Sequence, residues 1–539
     1  MAQIDLLQFR GEVPRAAVRK LPLEAAAQAT NIRFNSGDLE AWRSLLPISA
    51  TLRSGLVKSL FLYEDTHWFS WNGHVSAVKS PIAQDDFARV YYTGDGVPKV
   101  TSNLIATSGG PKPSNDYDLG VPAPEGTIDV AVTEVGDIDA ADFSDDETRF
   151  YVYTFVTGYG EEGPPSMPSL AAELRHPATD SIVLTIPVPF ANTQNITKKR
   201  LYRTVTTGDS TEYFYVGDVP LSQTSFTDKI KDTQLGGLLK TVDFDPPPAN
   251  MQGMVSGENG IVAGFAGNEF IPSMANLPSA YPAGFRHAFE HDVVAIAATS
   301  TGFVVATEGY PHAIIGVTPG SLTSEKLEVK QACVSGPSLV DMGEFAIYAS
   351  PDGLVAAGVG RAELITPDLF GQDEWAAFYP ETIHAYYYED LYIAFYGDTA
   401  GTGHGVGGFI YNPKTSDFVR LDFYATAGYN DLKTDSLYLV VNGQLNAWNR
   451  GLGLLTYYWK SKIFKGDATA FTCAKVYTVD PANVGVALLS NGVKILDRAS
   501  LPSEAFRLPS VRGEEWQVEL TGTAPIHRFA MDYALGDLE

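Results

Sequence analysis

The chain has 539 residues, of which 45% are apolar, 12% aromatic and 19% charged, so it can bury a large core and long disordered stretches are not expected. Its 38 Lys and Arg stand against 64 Asp and Glu, a net charge of −26, which argues against tight wrapping of nucleic acid because phosphate binding needs clustered cations. The chain has two cysteines, no long apolar run and no signal-peptide pattern at its start. We therefore expect a soluble protein made in a cytoplasm, without a disulfide framework or a membrane span.

The N-terminal region carries a cluster of basic residues. They are Arg10, Arg15, Arg19, Lys20, Arg33 and Arg43. On so acidic a chain this cluster is compatible with docking on an acidic partner and equally with a solvated segment. Residues 18–31 (VRKLPLEAAAQATN) predict one short helix with Pro22 near its start. Residues 63–78 predict a first β-unit that turns through Asn72-Gly73.

A segment without the repeat found elsewhere lies between two loops rich in Gly and Pro, residues 107–127 and 243–253. It contains several short strand patterns, which begin near residues 148, 181, 199, 213 and 225. Short strands at regular spacing predict a β-sandwich, and residues 151–169 (YVYTFVTGYGEEGPPSMPS) resemble a strand and turn of fibronectin type III-like modules. We expect an inserted sandwich over residues 126–247.

Similar strands recur along the rest of the chain. They start at Ile261, Phe303, Phe345, Leu391 and Leu437, at spacings of 42, 42, 46 and 46 residues. A tight turn and a second strand usually follow each of them. Small antiparallel sheets at this period are typical of a β-propeller, and we expect about six blades. The predicted organisation is an N-terminal arm and first propeller part (1–125), the sandwich (126–247), and the remaining propeller with C-terminal closing strands (248–539).

One stretch, YYYEDLYIAFYG (residues 386–397), places five tyrosines and one phenylalanine in twelve residues. A sugar-binding face, a membrane belt and a sheet packed between other sheets could each explain it. Apolar side chains on both faces of the LYIAFY strand favour packing between sheets. Residues 516–535 alternate in the same way and are expected to return to the sheets.

No motif predicts a catalytic, cofactor-binding or metal site. The glycine-rich run 401–408 is followed by a hairpin pattern rather than the helix that a phosphate loop needs, and the acidic loop 135–148 lacks the EF-hand register. There is no serine nucleophile elbow and no sialidase-type box. The histidines follow no ligand spacing; they are His67, His74, His176, His287, His291, His312, His384, His404 and His527.

Several blocks resemble the tail nozzle, or tail hub, proteins of short-tailed bacteriophages, also described as packaged-DNA stabilisation proteins. The blocks are residues 31–48, 89–101, 260–287, 329–358 and 457–464. The resemblance implies a non-enzymatic virion protein, made in the host bacterial cytoplasm, whose propellers form a ring, expected to be a homohexamer. Implied partners are the portal–adaptor ring, tail fibre or spike proteins, and duplex DNA passing through the lumen.

The acidic balance suits such a conduit, because lumen-facing carboxylates repeated by ring symmetry would let DNA slide without capture. Two other functions remain open from the sequence. One is a tail receptor-binding or carbohydrate-recognition propeller, and the other is a propeller glycoside hydrolase with two carboxylates at the ring mouth.

Overall fold

The computed structural model describes residues 3–35, 37–134, 146–175, 177, 179–189, 191–205, 212–397 and 405–538. In this part of the chain the regular secondary structure is nearly all β-strand, with one short α-helix, α1 (Gln372–Ala376). The remaining helical residues form single 3-10 turns at Val18–Lys20, Asp232–Gln234, Glu258–Gly260, Ala283–Phe285, Pro319–Ser321, Gly336–Ser338, Pro380–Thr382, Pro481–Asn483 and Leu535–Leu538.

The chain divides into two compact units. The first comprises Met1–His74, Glu290–Ile315 and Ser324–Glu539, and the second comprises Val75–Phe289 and Gly316–Thr323. The strands of the first unit that precede the break are β1 (Ile4–Leu6), β2 (Ala26–Thr30), β3 (Ile32–Asn35), β4 (Asp38–Ala41), β5 (Leu46–Pro47), β6 (Ser59–Tyr63) and β7 (His67–Trp71).

The predicted helix over residues 18–31 is wrong. Only Val18–Lys20 forms a 3-10 turn, and Ala26–Thr30 is strand β2. The alanines of β2 lie in a core, with Ala26 and Ala29 fully buried. Tertiary pairing therefore overrides the helix propensity of this alanine-rich segment.

The predicted turn at Asn72-Gly73 is present as a bend between β7 and the strand Ser76–Lys79, but it does not join two paired strands. The hairpin joins β6 to β7 through Glu64 and Asp65, whose φ angles are 46° and 59°. Two successive positive φ angles are typical of the tight hairpin turn that matches the twist of antiparallel strands. Asn72 instead donates its side-chain amide to the carbonyl of Ser54.

The second unit contains two four-stranded antiparallel sheets and the inserted sandwich. The first sheet is β8 (Ser76–Lys79), β9 (Val90–Thr93), β10 (Lys99–Thr101) and β11 (Tyr117–Asp118). The sandwich strands are β12 (Asp129–Thr133), β13 (Glu147–Arg149), β14 (Tyr151–Thr157), β15 (Ala172–Leu174), β16 (Ser181–Thr185), β17 (Ile196–Thr204), β18 (Tyr213–Pro220) and β19 (Ser225–Asp228). The last sheet of this unit is β20 (Gln252–Ser256), β21 (Val262–Ala266), β22 (Glu269–Pro272) and β23 (His287–Ala288).

The sandwich packs its small sheets around one core. Strand order is β12-β16-β19 in one sheet and β14-β17-β18 in another, with β13 and β15 paired beside them. Tyr151, Tyr153, Ile182, Leu184 and Leu201 are buried together between the sheets. A buried ion pair, Arg203 Nε to Asp228 Oδ2 at 3.1 Å, also lies inside the sandwich.

The repeating sheets continue after residue 290. Their strands are β24 (Val293–Thr299), β25 (Gly302–Thr307), β26 (His312–Ile315), β27 (Thr323–Lys326), β28 (Val340–Asp341), β29 (Phe345–Ser350), β30 (Gly353–Gly358), β31 (Arg361–Leu364), β32 (His384–Tyr388), β33 (Leu391–Tyr396), β34 (Gly407–Asn412), β35 (Asp417–Leu421), β36 (Ala427–Asp431), β37 (Ser436–Val441) and β38 (Gln444–Ala447). Each set of four strands pairs in sequence order, except that β5 supplies the fourth strand beside β38. Strand β35 also pairs with β2, which joins its sheet to the C-terminal strands.

The first strands of successive sheets contact one another within the first unit: β24 with β28, β28 with β32, β32 with β36, and β36 with β6. Small antiparallel sheets joined side by side through their first strands are the arrangement of propeller blades. The predicted class, all-β with a β-propeller and an inserted β-sandwich, is confirmed by these sheets.

The aromatic stretch 386–397 forms β32 and β33 and packs between sheets, as predicted. Tyr392 lies in a core with α1 residue Trp375, whereas Ile393 and Phe395 lie in the core on the other side of the strand, with Trp448. Tyr392, Trp375, Phe395 and Trp448 are aromatic, and none of these side chains is exposed. The aromatic surface is therefore used for packing.

The C-terminal strands form a further sheet system with the N-terminal strands. They are β39 (Tyr457–Ser461), β40 (Phe464–Thr469), β41 (Cys473–Thr478), β42 (Val484–Ser490), β43 (Val493–Arg498), β44 (Phe506–Arg507), β45 (Gly513–Gly522) and β46 (Ile526–Asp532). Strand β46 pairs with β1, β4 and β41, and β39 pairs with β2 and β45. The expected return of residues 516–535 to the sheets is confirmed.

Candidate functional site

A cavity of about 450 Å³ lies in the first unit, at the place where segments that precede the first strands of several sheets meet. These segments precede β6, β28, β32 and β36. The residues that line the cavity are Leu56, Lys58, His74, Val334, Ser335, Gly336, Pro337, Glu381, Thr382, His384, Gly397, Tyr424 and Thr426. The volume falls in the range of small-molecule sites.

His384 is the buried polar group of this cavity. It is the first residue of β32, it is only 7% exposed, and neither of its ring nitrogens has a hydrogen-bond partner among the described residues. Its ring stacks on Tyr424, with the ring centroids 5.7 Å apart and the planes inclined by 25°. Burial, together with the charges of His74 and Lys58, lowers the pKa of His384 to about 3. The imidazole is therefore neutral at physiological pH, with one donor and one acceptor nitrogen.

Thr426 contributes a second unsatisfied group. Its hydroxyl oxygen is buried and has no hydrogen-bond partner in the described part of the chain. A hydroxyl, like a neutral imidazole, can both donate and accept. Leaving such groups unpaired costs about 1–3 kcal/mol each, a cost that a bound ligand or water would relieve.

Three ionisable side chains line the exposed part of the cavity. Lys58 and His74, which flank the β6–β7 hairpin, and Glu381, which precedes β32, are all exposed. Burial and the charge of Lys58 lower the pKa of His74, so at neutral pH the exposed part of the cavity offers one cation, one neutral imidazole and one carboxylate, beside a neutral polar interior. In the described residues, no group of three or more His, Cys, Asp or Glu side chains is placed to hold a metal ion.

The wall of the cavity is held by its own hydrogen bonds. Ser335 donates its hydroxyl to the carbonyl of Ile383 at 2.6 Å. Thr382 Oγ1 accepts the amide N–H of Gly397 at 2.8 Å. Gly397 has φ 92°, and a Cβ there would lie 2.2 Å from the carbonyl oxygen of Gly405, so this close approach requires glycine.

In the sequence, His74 and His384 follow no ligand spacing, yet the fold brings both to this cavity. They are more than 300 positions apart in the printed sequence, and no motif spacing links them. The signal that could have found the site is positional, since both residues stand beside strands of the repeat. The other described histidines lie elsewhere; His527, for example, pairs with Asp38 at 2.7 Å between Nδ1 and Oδ2. His176 and His404 lie outside the described residues.

The other predicted candidates are placed as follows. The glycine-rich run 401–408 is described only from residue 405, and residues 407–412 form β34 of a hairpin, as predicted. Most of the acidic loop 135–148 lies outside the described residues; its Asp146 accepts from Arg175 Nη1 at 2.8 Å.

The basic N-terminal residues are partly used inside the chain. Arg10 pairs with Asp417 at 2.9 Å and Arg33 with Glu389 at 2.9 Å, while Arg15 donates to the carbonyl of Pro367. Arg19 and Lys20 are exposed on the 3-10 turn Val18–Lys20. Arg43 is exposed as well.

No helix among the described residues is long and apolar enough to span a membrane. No protein-family model and no curated protein matches the chain.

Similar solved structures include BBS1N in complex with ARL6DN, at 9% identity over 76% of this chain and 97% of that chain, with a TM-score of 0.28. BamB from Moraxella catarrhalis is 11% identical over 53% of this chain and 88% of that chain, with a TM-score of 0.24. YCF48 from Cyanidioschyzon merolae is 10% identical over 53% of this chain and 97% of that chain, with a TM-score of 0.26. No functional conclusion rests on likenesses this distant.

Proposed function

We propose that this chain is the nozzle protomer of a short-tailed bacteriophage, a structural virion protein that assembles as a ring of six below the portal and adaptor. The ring would retain the packaged duplex DNA and conduct it during ejection. The support comes first from the resemblance of five sequence blocks to the nozzle family.

One structural observation carries the proposal: the resembling blocks consist largely of strands of the sheets, although residues 334–337 of one block also line the cavity described above. Residues 260–287 contain β21 and β22, and residues 329–358 contain β28, β29 and β30. A chain whose family resemblance lies in its sheet framework suits a geometric role. Fold alone does not fix function, so the role has to be tested by assembly.

The charge supports a conduit. A net charge of −26 per chain would be repeated by every copy in a ring. Lumen-facing carboxylates would then form continuous negative bands that repel the DNA backbone and allow passage without capture. Sequence-specific binding of DNA is not part of this proposal.

The N-terminal segment is proposed to dock on the adaptor or portal side through Arg19 and Lys20. Both flanks of this turn are bound to the first unit, because Arg15 donates to the carbonyl of Pro367 upstream and Lys462 Nζ donates to the carbonyl of Leu21 downstream. Deleting the segment would remove β1 and β2 from their sheets, so charge reversal of Arg19 and Lys20 is the cleaner test.

The assembly test uses the full chain, alone and with purified portal–adaptor complex, imaged by negative-stain microscopy. We expect rings with six-fold symmetry that cap the complex, and weaker capping with the R19E/K20E variant. The matched control is K330E, which reverses the charge of an exposed lysine between β27 and β28. A chain that stays monomeric and never caps the complex would rule out the nozzle role; capping by R19E/K20E as strong as by K330E would rule out only the docking surface.

A further inference from the structure

We propose that the cavity lined by His384, Thr426 and Lys58 binds a small carboxylated sugar, such as a uronic or sialic acid unit. This inference goes beyond the nozzle role. The cavity is formed inside one compact unit of a single chain, so binding would not depend on ring assembly. The two proposals can therefore fail separately.

The interior of the cavity is matched to hydroxyl groups. His384 presents two ring nitrogens and Thr426 one hydroxyl, all buried and without a partner among the described residues. Each of these side chains can donate one hydrogen bond and accept another. A sugar hydroxyl has the same dual capacity, so adjacent hydroxyls could satisfy both side chains at once. A purely accepting anion would leave the acceptor nitrogen of His384 unpaired.

The mouth is matched to a single carboxylate. Lys58 lies on the segment that enters β6, and His74 follows β7, so one cation and one imidazole that can donate a hydrogen bond come from the two ends of one hairpin. Charge-assisted hydrogen bonds to an ionised ligand group are about twice as strong as neutral ones. Glu381 on the same cavity would repel a multiply charged phosphate more than a single carboxylate, and it can accept from further hydroxyls.

The size fits one or two sugar rings. A cavity of about 450 Å³ is at the small end of ligand sites and leaves no room for a long polymer inside it. Tyr424 already stacks on His384, so an aromatic base would find this ring face occupied. These two observations favour a compact polyol over a nucleotide.

The test measures binding to the full chain by saturation-transfer NMR and titration calorimetry, with D-glucuronate and N-acetylneuraminate as carboxylated sugars. D-Glucose and inorganic phosphate are the comparison ligands. We expect saturable binding of at least one carboxylated sugar, at least tenfold tighter than glucose, and no displacement by equimolar phosphate.

Two variants locate the binding. Lys58→Gln should weaken binding of the carboxylated sugar at least fivefold without changing the weak binding of glucose. Thr426→Val should weaken both, because it removes a hydroxyl from the interior while keeping the side-chain shape. Lys330→Gln is the matched control and should leave binding unchanged. Thermal unfolding of each variant checks that it is folded.

The inference is overturned if neither carboxylated sugar binds saturably to the folded wild-type chain. It is also overturned if phosphate competes as well as the sugars, which would make the cavity a simple anion site. Binding that is unaffected by both Lys58→Gln and Thr426→Val would place the sugar elsewhere and contradict the proposed site.

Discussion

Arg89 and Glu161 form a buried ion pair that joins the first sheet of the second unit to the inserted sandwich. Arg89 Nη1 lies 2.7 Å from Glu161 Oε1, and the two side chains are 5% and 9% exposed. Arg89 Nε also donates to Asp85 Oδ2 at 2.8 Å. Burial raises the pKa of Glu161 even though Arg89 opposes the shift, so this carboxylate depends on its partner to stay charged.

Replacing Arg89 should therefore destabilise the second unit strongly. Arg89→Leu would leave two buried carboxylates without their cation, and we expect the free energy of unfolding of this unit to fall by about 3–5 kcal/mol. Urea unfolding followed by fluorescence measures it. Lys240→Leu is the control in the same unit, because Lys240 is exposed and surface substitutions of this kind change stability by about 0.5 kcal/mol or less. Equal effects of the two variants would contradict the structural role of the Arg89 pair.

The stability of the first unit should fall on acidification because of His384. Its pKa in the folded state is about 3, whereas the unfolded chain takes up a proton near the ordinary value of 6.5. Between these values only the unfolded state gains the proton, so stability is lost as pH falls from 6.5 towards 3, by at most about 1.4 kcal/mol per pH unit. The other ionisable groups that line the same cavity are Lys58, His74 and Glu381, and a substitution of His384 leaves them unchanged.

His384→Leu should flatten this dependence when unfolding is measured in urea at pH 7, 6, 5 and 4. Leu452→Ala, at an exposed position without an ionisable side chain, should keep the wild-type slope. A His384→Leu slope as steep as that of the wild type would show that other groups govern the acid sensitivity.

The thiol of Cys333 should be unreactive in the folded protein. The side chain is 4% exposed, its Sγ donates to the carbonyl of Ser335 at 3.3 Å, and burial raises its pKa to about 12. Since the thiolate is the reactive form, we expect no alkylation by iodoacetamide at pH 8 over hours, and full alkylation in denaturant. Peptide mass spectrometry distinguishes this cysteine from Cys473. Rapid labelling of Cys333 in the native protein would contradict its burial.

Trp42 should anchor the N-terminal segment to the last propeller sheet. Its indole N–H donates to the carbonyl of Ile32 at 3.0 Å, and its ring centroid lies 5.4 Å from that of Trp448. Trp42→Ala would leave a large buried cavity, and we expect a loss of about 3–5 kcal/mol in the free energy of unfolding. Limited proteolysis should then cut the chain in the segment before β6, which contains β5, the strand that completes the last propeller sheet. Leu452→Ala, at a 97% exposed position, should change neither measurement.

The repeat of strands could be predicted because alternating apolar residues, tight turns and regular spacing are local signals. The strands starting near Phe303, Phe345, Leu391 and Leu437 are all present. The strand that completes the last sheet could not be predicted, since β5 is only two residues long and pairs with a strand about 400 positions later. Pairing across such a distance leaves no pattern in either segment.

The candidate site was missed for the same reason. His384 reads as the start of an aromatic strand, and Lys58 and Thr426 occur in unremarkable segments. These residues form a site because the first strands of neighbouring sheets lie side by side, which brings together the segments that precede those strands. Buried polar atoms in these segments have no hydrogen-bond partner among the described residues. Conversely, the alanines of residues 18–31 suggested a helix because their burial against the C-terminal strands is not visible locally.

The most direct test of the nozzle role is a cryo-electron microscopy map of the assembled tail that contains this chain. We predict six copies around the DNA path, below the adaptor, with carboxylate side chains predominating on the surface that faces the DNA. A map that placed the chain away from the DNA path, or showed a lumen lined by Lys and Arg, would contradict the account.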